Sequence, residues 1–405
     1  MLNSVEIKNF RSCRSSKIEF GTSVSALAGR NGVGKSNILK AIDWVCRSVI
    51  SSETLRIGLD DYSAQVPEDI EIGMNIKVDE CIYHYRILVR LNLSKDRNPS
   101  QYEFPGLVES LSVRAKEGEE RIIFNRDGES ITFVERKDPI RIPKWTPAPA
   151  ALKSLMGLDD PQLKHIDRLI SFFNGTRYYP FDDTDEENDL IPEYTYNEWK
   201  FRHRSAGDPT TSIAMRLIYM YEEDRELFTE FNEIMGPTGL DVTKYIGISK
   251  IGSPSSGWSG ENTLSGAKLF NLYVMPSKHM GGAWGGFPFS ALSVGTRRVI
   301  RIVVSMLFDK RSLMLIEHPE DSIHPGLLRK LISILRTYSY QSQVIFTTHS
   351  PEVLDILEPE EILLVTAPEG STFVRKLAPE EILLAKEFLK NEGTLSEFLE
   401  PLDNL

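Results

Sequence analysis

One short segment, Gly29-Arg30-Asn31-Gly32-Val33-Gly34-Lys35-Ser36, constrains this chain more than any other feature. It matches GxxxxGK[ST], a phosphate-binding loop. Such a loop needs a buried strand before it and a helix after it, which predicts an α/β core. Val24 to Ala28 is short and largely apolar, as a buried strand would be. Ile38, Ile42 and Val45 recur at helical spacing after the loop, with Leu39 and Ala41 beside them. The chemistry asks for this layout. Glycines let the backbone wrap phosphates, and free N–H groups at the helix start point at the anion. Lys35 adds a point charge worth roughly 4 kcal/mol gross at ~4 Å and an effective dielectric of ~20. The Ser36 hydroxyl is placed for Mg²⁺.

The last third carries the partner motifs. Ser293-Val294-Gly295-Thr296 precedes a helical pattern in which Val299, Ile300, Val303, Val304 and Leu307 share a face. Ser293 and Gly295 fall at that helix's N-terminus, where an anion is favoured. An ordinary serine cap would read the same way. Leu313 to Ile316 then reads as a buried strand ending in Glu317-His318-Pro319-Glu320. Val344-Ile345-Phe346 is a second such strand, ending in Thr347-Thr348-His349-Ser350-Pro351. Leu327, Leu328, Leu331, Ile332 and Leu335 between them predict a crossover helix, and hence parallel pairing. Glu317 and His349 therefore belong at the strand edge where open α/β sheets bind ligands.

This order of motifs resembles the ABC-type ATPase head of RecF, of structural-maintenance-of-chromosomes proteins and of OLD (overcoming lysogenization defect) ATPases. The opening Val5-Glu6-Ile7-Lys8-Asn9-Phe10-Arg11-Ser12 and the ending His349-Ser350-Pro351-Glu352-Val353-Leu354 are similar to the OLD-like branch, catalogued as AAA-15 or AAA-21 ATPases. The resemblance covers roughly residues 1–50 and 285–365. It implies an α/β, ABC-type P-loop ATPase head with an antiparallel β-subdomain and a helical insert. It also implies ATP and Mg²⁺ as cofactors. Two heads would sandwich ATP as a homo-oligomer. Arg30, Asn31, Gly32, Gly34, Lys35, Ser36 and Asn37 of one chain would hold the phosphates, and Ser293 and Gly295 of the other would touch the γ-phosphate. Glu317 would share the metal with Ser36, and His349 would sense the γ-phosphate.

Three features depart from that pattern. Glu317 stands at the metal position where aspartate is commoner, as is also seen in OLD-like members. His318 stands where such heads usually have the glutamate that polarises water, and Glu320 is the nearest substitute. Without that negative charge hydrolysis is expected to be slow. Arg177 to Asp183 looks like the glutamine-loop strand end, yet it contains no glutamine.

Between the two ends, residues 70–135 alternate as antiparallel strands, with turns at Asp79-Glu80 and Asp127-Gly128. Residues 145–175 and 208–235 carry helical spacing. The expected domains are an N-terminal lobe (1–144), a helical insert (145–245) and a C-terminal lobe (246–405). The insert has no sustained heptads, so no long coiled-coil arm is expected. Asp182 to Asp189 is an acidic run, read as a solvated loop rather than a nuclease site. Trp199, Lys200, Phe201, Arg202, His203 and Arg204 form a basic-aromatic cluster, read as a surface loop with nucleic-acid binding as the alternative. Gly252 to Gly260 and Gly281 to Gly286 read as loops.

Composition narrows the function classes. Lys plus Arg is 47 against 58 Asp plus Glu, a formal net charge of −11, so any DNA contact must use a local patch. No apolar run is long enough to cross a membrane. Cys13, Cys46 and Cys81 are too few for a disulfide scaffold and fit a reducing cytoplasm. Too few residues follow His349 for the nuclease domain of full-length OLD enzymes. The resemblance therefore points to a sensor or scaffold ATPase of a two-component bacterial anti-phage system that controls a separately encoded effector nuclease. A RecF-type DNA-repair ATPase is the alternative.

Overall fold

The computed structural model describes residues 1–50, 69–92, 103–116, 118–134, 136, 138–155, 162–180, 188–206, 212–252, 268–277, 286–309, 311–339 and 342–401. Asp182 to Glu187 of the acidic run, and nearly all of both glycine-rich loops, lie outside them. The chain divides into two compact units. The first comprises Met1–Pro180, Arg311–Pro319 and Leu335–Leu405, and the second Phe181–Lys310 and Glu320–Ile334.

The first unit holds two sheets. One contains β3 (Val24–Ala28), β10 (Thr176–Tyr179), β15 (Leu313–Glu317), β16 (Gln343–Thr348), β17 (Ile362–Thr366) and β18 (Phe373–Lys376). Its order is β10-β15-β16-β3-β17-β18, parallel except for the β17–β18 pair. β3 and β16 are buried at every residue, which is why they read as apolar runs rather than alternating ones. The other sheet is antiparallel, ordered β2-β1-β4-β5-β6-β7-β8-β9. Its strands are β1 (Leu2–Phe10), β2 (Cys13–Glu19), β4 (Ile70–Val78), β5 (Cys81–Asn92), β6 (Glu103–Ala115), β7 (Arg121–Asp127), β8 (Ser130–Phe133) and β9 (Ile140–Arg141). Alternation is visible in β4, whose Ile70, Ile72, Met74 and Ile76 are buried. Between the sheets' strands run α1 (Lys35–Ile50), α2 (Ala148–Leu155) and α3 (Leu163–Asn174). Ile38, Ile42, Val45 and Val49 of α1 join one core with Ile166, Leu169 and Phe173 of α3.

That core contains a charged knot. Arg126 on β7 and Glu109 on β6 are fully buried and paired at 2.5 Å. Every guanidinium nitrogen is used: Nε donates to Gly128 O, Nη1 also to Thr146 O, and Nη2 to Pro143 O and Lys144 O. Glu109 further accepts from the Tyr85 hydroxyl and from the Ala148 N–H at the start of α2. The antiparallel sheet is thus tied to the segment that launches α2.

The second unit contains α4 (Glu193–Ala206), α5 (Ile213–Glu223), α6 (Arg225–Met235) and α7 (Val294–Asp309), with the first part of α8 (Pro325–Tyr338). A small sheet of β11 (Leu190–Pro192), β12 (Tyr245–Gly252), β13 (Lys268–Met275) and β14 (Phe287–Pro288) completes it. The single apolar face expected after Ser293 underestimates α7, which is buried on all sides from Arg298 to Leu307. Buried Arg216 of α5 meets this helix through Asp309 at 3.5 Å and Ser305 at 3.3 Å. The C-terminal end adds α9 (Pro351–Leu354), α10 (Pro379–Asn391) and α11 (Leu395–Leu399) to the first unit. Among the described residues no helix is long and apolar enough to cross a membrane.

The thiols differ in access. Cys13 and Cys46 are buried and Cys81 is half-buried. Burial pushes the Cys13 thiol up to about 11 and the Cys46 thiol well above its ordinary range. Both effects suppress thiolate. In the folded chain a disulfide reagent such as DTNB is expected to modify Cys81 first, with Cys13 and Cys46 reacting only on unfolding. Rapid release of all three thiols from native protein would contradict the buried placement.

Candidate active site

Three neighbouring parallel strands end at one edge. Glu317 at the end of β15 pairs with Thr347 of β16, and Thr348 pairs with Ala28 at the end of β3. The register therefore brings Glu317, His349 and the loop starting at Gly29 to the same end of the sheet. Adjacent strands lie about 4.8 Å apart, so all three motifs fall within the span of two strand spacings.

The loop is braced from two distant segments. Thr372, before β18, is 1% exposed. Its hydroxyl donates to Val33 O at 2.8 Å and meets Ser12 Oγ at 2.6 Å. Asn37 Nδ2 donates to the same Ser12 oxygen at 2.8 Å. Gly34 sits at φ +96, and a Cβ there would lie 2.0 Å from Thr372 Oγ1, so only glycine fits. Lys35 opens α1, is 4% exposed, and donates from Nζ to Gly29 O at 2.6 Å and Arg30 O at 2.8 Å. Arg30, Asn31 and Gly32 are exposed, and Ser36 and Asn37 are half-buried in the first turn of α1.

Glu317 Oε1 is buried and has no hydrogen-bond partner. An unpaired buried carboxylate oxygen is costly, and a bound cation is one arrangement that would offset the cost. A carboxylate oxygen and the Ser36 hydroxyl are both hard oxygen donors, the chemistry that Mg²⁺ takes. His318, the next residue, adopts φ +42, an unusual left-handed conformation for a side chain of this size. Its N–H donates to Thr347 Oγ1 at 3.2 Å. Its ring meets that of His349 edge-on, with centroids 5.0 Å apart and the two Nδ1 atoms 3.3 Å apart. One imidazole must hold a proton on Nδ1 and the other must accept it. His349 is exposed, and Ser350 behind it caps α9 by accepting from Val353 N.

Ser293 and Gly295 belong to the second unit. Ser293 caps α7: its Oγ accepts from Thr296 N at 3.2 Å, and its carbonyl accepts from Arg297 N at 2.9 Å. A Cβ on Gly295 would lie 1.9 Å from Ser322 O, so this glycine is required for the helix start to approach the 320–323 turn. Buried Arg298 reinforces that approach by donating to Asp321 O at 3.1 Å. Glu320 is buried at the start of this turn, and its carbonyl accepts from Ile323 N.

The basic-aromatic cluster departs from its sequence reading. Trp199 to Arg204 lie on α4 rather than in a loop. The pattern hid the helix because α4 lacks a strong apolar stripe. Lys200 is paired with Glu223, and Arg202 with Glu198 at 2.5 Å, while Phe201 is 76% exposed. The side chains of His203 and Arg204 lie outside the described residues. Sequence reading gave no role to Ser12 or Thr347, which it met only inside longer motifs, and it missed Thr372. They are ordinary hydroxyl residues, and only the fold shows what they brace.

Comparison with known proteins places the same two ends. Residues 1–138 match a family model described as an AAA ATPase domain. Residues 278–355 match one described as an AAA domain, putative AbiEii toxin, Type IV TA system. A curated relative, the DNA double-strand break repair Rad50 ATPase of Archaeoglobus fulgidus, is 60% identical over 42 residues. That match covers 10% of this chain and 5% of the relative, so the chain spans a small fraction of that protein's length. Among solved structures, an Smc head bound to the C-terminal winged-helix domain of ScpA is similar at 14% identity and TM-score 0.48. It covers 94% of this chain and 99% of that one. The Smc head from Thermotoga maritima is similar at 14% identity and TM-score 0.39, covering 93% and 99%. The phosphate loop, the parallel sheet behind it and the AAA ATPase match over residues 1–138 together support an α/β ATPase with a P-loop head.

Proposed function

We propose that the chain binds ATP with Mg²⁺ between two heads and hydrolyses it slowly, so that nucleotide occupancy acts as a switch on association. The observation that carries this reading is the convergence of the phosphate loop, Glu317 and His349 at one sheet edge. Arg30, Asn31, Gly32, Gly34, Lys35, Ser36 and Asn37 of one chain hold the phosphates through backbone N–H groups and the Lys35 ammonium. Ser36 and Glu317 hold the metal, which when bound neutralises phosphate charge and polarises the phosphoryl oxygens. The helix start at Ser293 and Gly295 of the other chain faces the γ-phosphate, and His349 reads its presence. The test is ATP-dependent dimerisation followed by sedimentation. Mg-ATP is expected to convert the wild-type chain, whose hydrolysis is slow, to a dimer and to leave Ser293→Arg monomeric. A Ser293→Arg chain that dimerises normally would refute the sandwich.

His318 sets the rate. It contacts His349 rather than supplying a negative charge beside the attacking water. Replacing it with the missing carboxylate, His318→Glu, is expected to raise the turnover number at least about tenfold, since a well-placed general base contributes ~10²–10⁴. A wild-type turnover of tens per second, unchanged in Glu320→Ala, would defeat the slow-hydrolysis reading.

In the cell, the OLD-like resemblance supports a sensor or scaffold subunit of a two-component anti-phage system, partnered with a separate nuclease. Co-purification of a nuclease encoded beside it is the test. The short identity to a Rad50 repair ATPase favours a second reading, a RecF-type DNA-binding ATPase. DNA binding that weakens steeply with salt, and that is lost in Lys200→Ala with Arg202→Ala, would move it ahead. Because both cations already have carboxylate partners, the first reading is preferred.

A further inference from the structure

A cleft of about 690 Å³ opens at the other end of the parallel sheet from the nucleotide motifs. Ser23, Ser312 and Ser342 line it, and each immediately precedes a strand: β3, β15 and β16. Strands of this length put the two edges about 17–20 Å apart. The floor is rigid. Gln343 accepts from Leu2 N at 2.7 Å and donates to Leu2 O at 2.9 Å and Gly21 O at 2.7 Å.

The Ser342 hydroxyl is the informative group. The residue is 6% exposed, yet Oγ has no hydrogen-bond partner. Burying an unpaired hydroxyl is costly, and this residue lines a cleft large enough for a small ligand. The charges there are mainly positive. Lys77 at the end of β4 is exposed, and Arg168 of α3 faces Asp79 at a loose 3.6 Å with both side chains substantially exposed. Arg336 lines the cleft too, but Glu361 holds it by two hydrogen bonds, so it shapes the wall rather than offering a free cation. Phe172 supplies an apolar side.

We propose that this cleft is a second ligand site, separate from the ATP site, for a small phosphorylated molecule of mononucleotide size. Its phosphate sits between Lys77 and Arg168. Its ring hydroxyls pair with the serine edge, Ser342 above all, and its ring lies on the Phe172 side. Positive charge selects the phosphate, and the orphan hydroxyl selects a polar ring. The inference stands on the cleft alone and does not depend on the reading of the nucleotide motifs.

Calorimetric titration of the full chain carrying Lys35→Ala, which disables the phosphate loop, tests it with AMP, ribose 5-phosphate and inorganic phosphate as probes. AMP is expected to saturate below about 1 mM and more tightly than phosphate. Arg168→Glu should weaken AMP by about tenfold or more. Ser342→Ala should weaken AMP by at least about threefold while leaving the free chain's melting temperature unchanged or higher, because it removes an unpaired hydroxyl. A merely structural serine would not give that opposite pair of effects. Three results would overturn the site: no saturable binding of any probe, phosphate binding as tightly as AMP, or AMP binding unaffected by both substitutions.

Discussion

Lys35→Ala is expected to lower ATP affinity by at least about a hundredfold, from a gross contact of roughly 4 kcal/mol discounted for solvent screening. The structure makes the free-protein outcome distinctive. Lys35 is buried, and its ammonium donates to the carbonyls of Gly29 and Arg30. Removing a buried ammonium relieves its desolvation while it deletes those two bonds, so the opposing terms largely cancel. The melting temperature of the nucleotide-free variant should therefore stay within a few degrees of wild type. The rise produced by Mg-ATP, about 2.7 kcal/mol of stabilisation at a hundred times the dissociation constant, should vanish. Thermal melts with and without Mg-ATP check both halves. A variant that keeps the ATP-dependent rise would mean that the loop does not hold phosphate.

Arg126→Met is expected to destabilise the chain by about 3–5 kcal/mol, the usual cost of stranding one member of a fully buried ion pair. Methionine keeps much of the stem volume, so the loss reports the charge. Glu109 would be left with only the Tyr85 hydroxyl and the Ala148 N–H, and four backbone carbonyls would lose their donor. Converting Glu109 to Gln in the same chain should recover part of the loss, because the uncompensated charge disappears. Denaturant titration measures it. A loss below about 1 kcal/mol would mean that water reaches Glu109 and that the knot does not organise the core.

The motifs at both ends were legible because their chemistry is local. A phosphate loop needs glycines, a lysine and a helix start in immediate succession, and the flanking apolar patterns give the strand and helix. The parallel β15–α8–β16 crossover followed from two apolar runs and one helical stripe. Residues that act across long separations were not legible. Thr372 reaches the loop from near the other end of the chain, and nothing distinguishes it in sequence from any other threonine. Glu109 and Arg126 look like surface charges on alternating strands until their burial is seen. α4 was missed because its polar face hides its periodicity, so its cations were read without their carboxylate partners. The left-handed backbone at His318 is likewise invisible to pattern, since histidine does not announce a positive φ.

The measurement that tests the central claim most directly is steady-state Mg-ATP turnover of wild type beside Glu317→Gln. The metal role proposed for Glu317 is motivated by its buried oxygen, which has no hydrogen-bond partner. The account predicts slow, saturable turnover in wild type and a drop of about a hundredfold or more in Glu317→Gln, with ATP still bound. Turnover unchanged by Glu317→Gln would contradict it, because the carboxylate at the end of β15 would then have no part in the reaction.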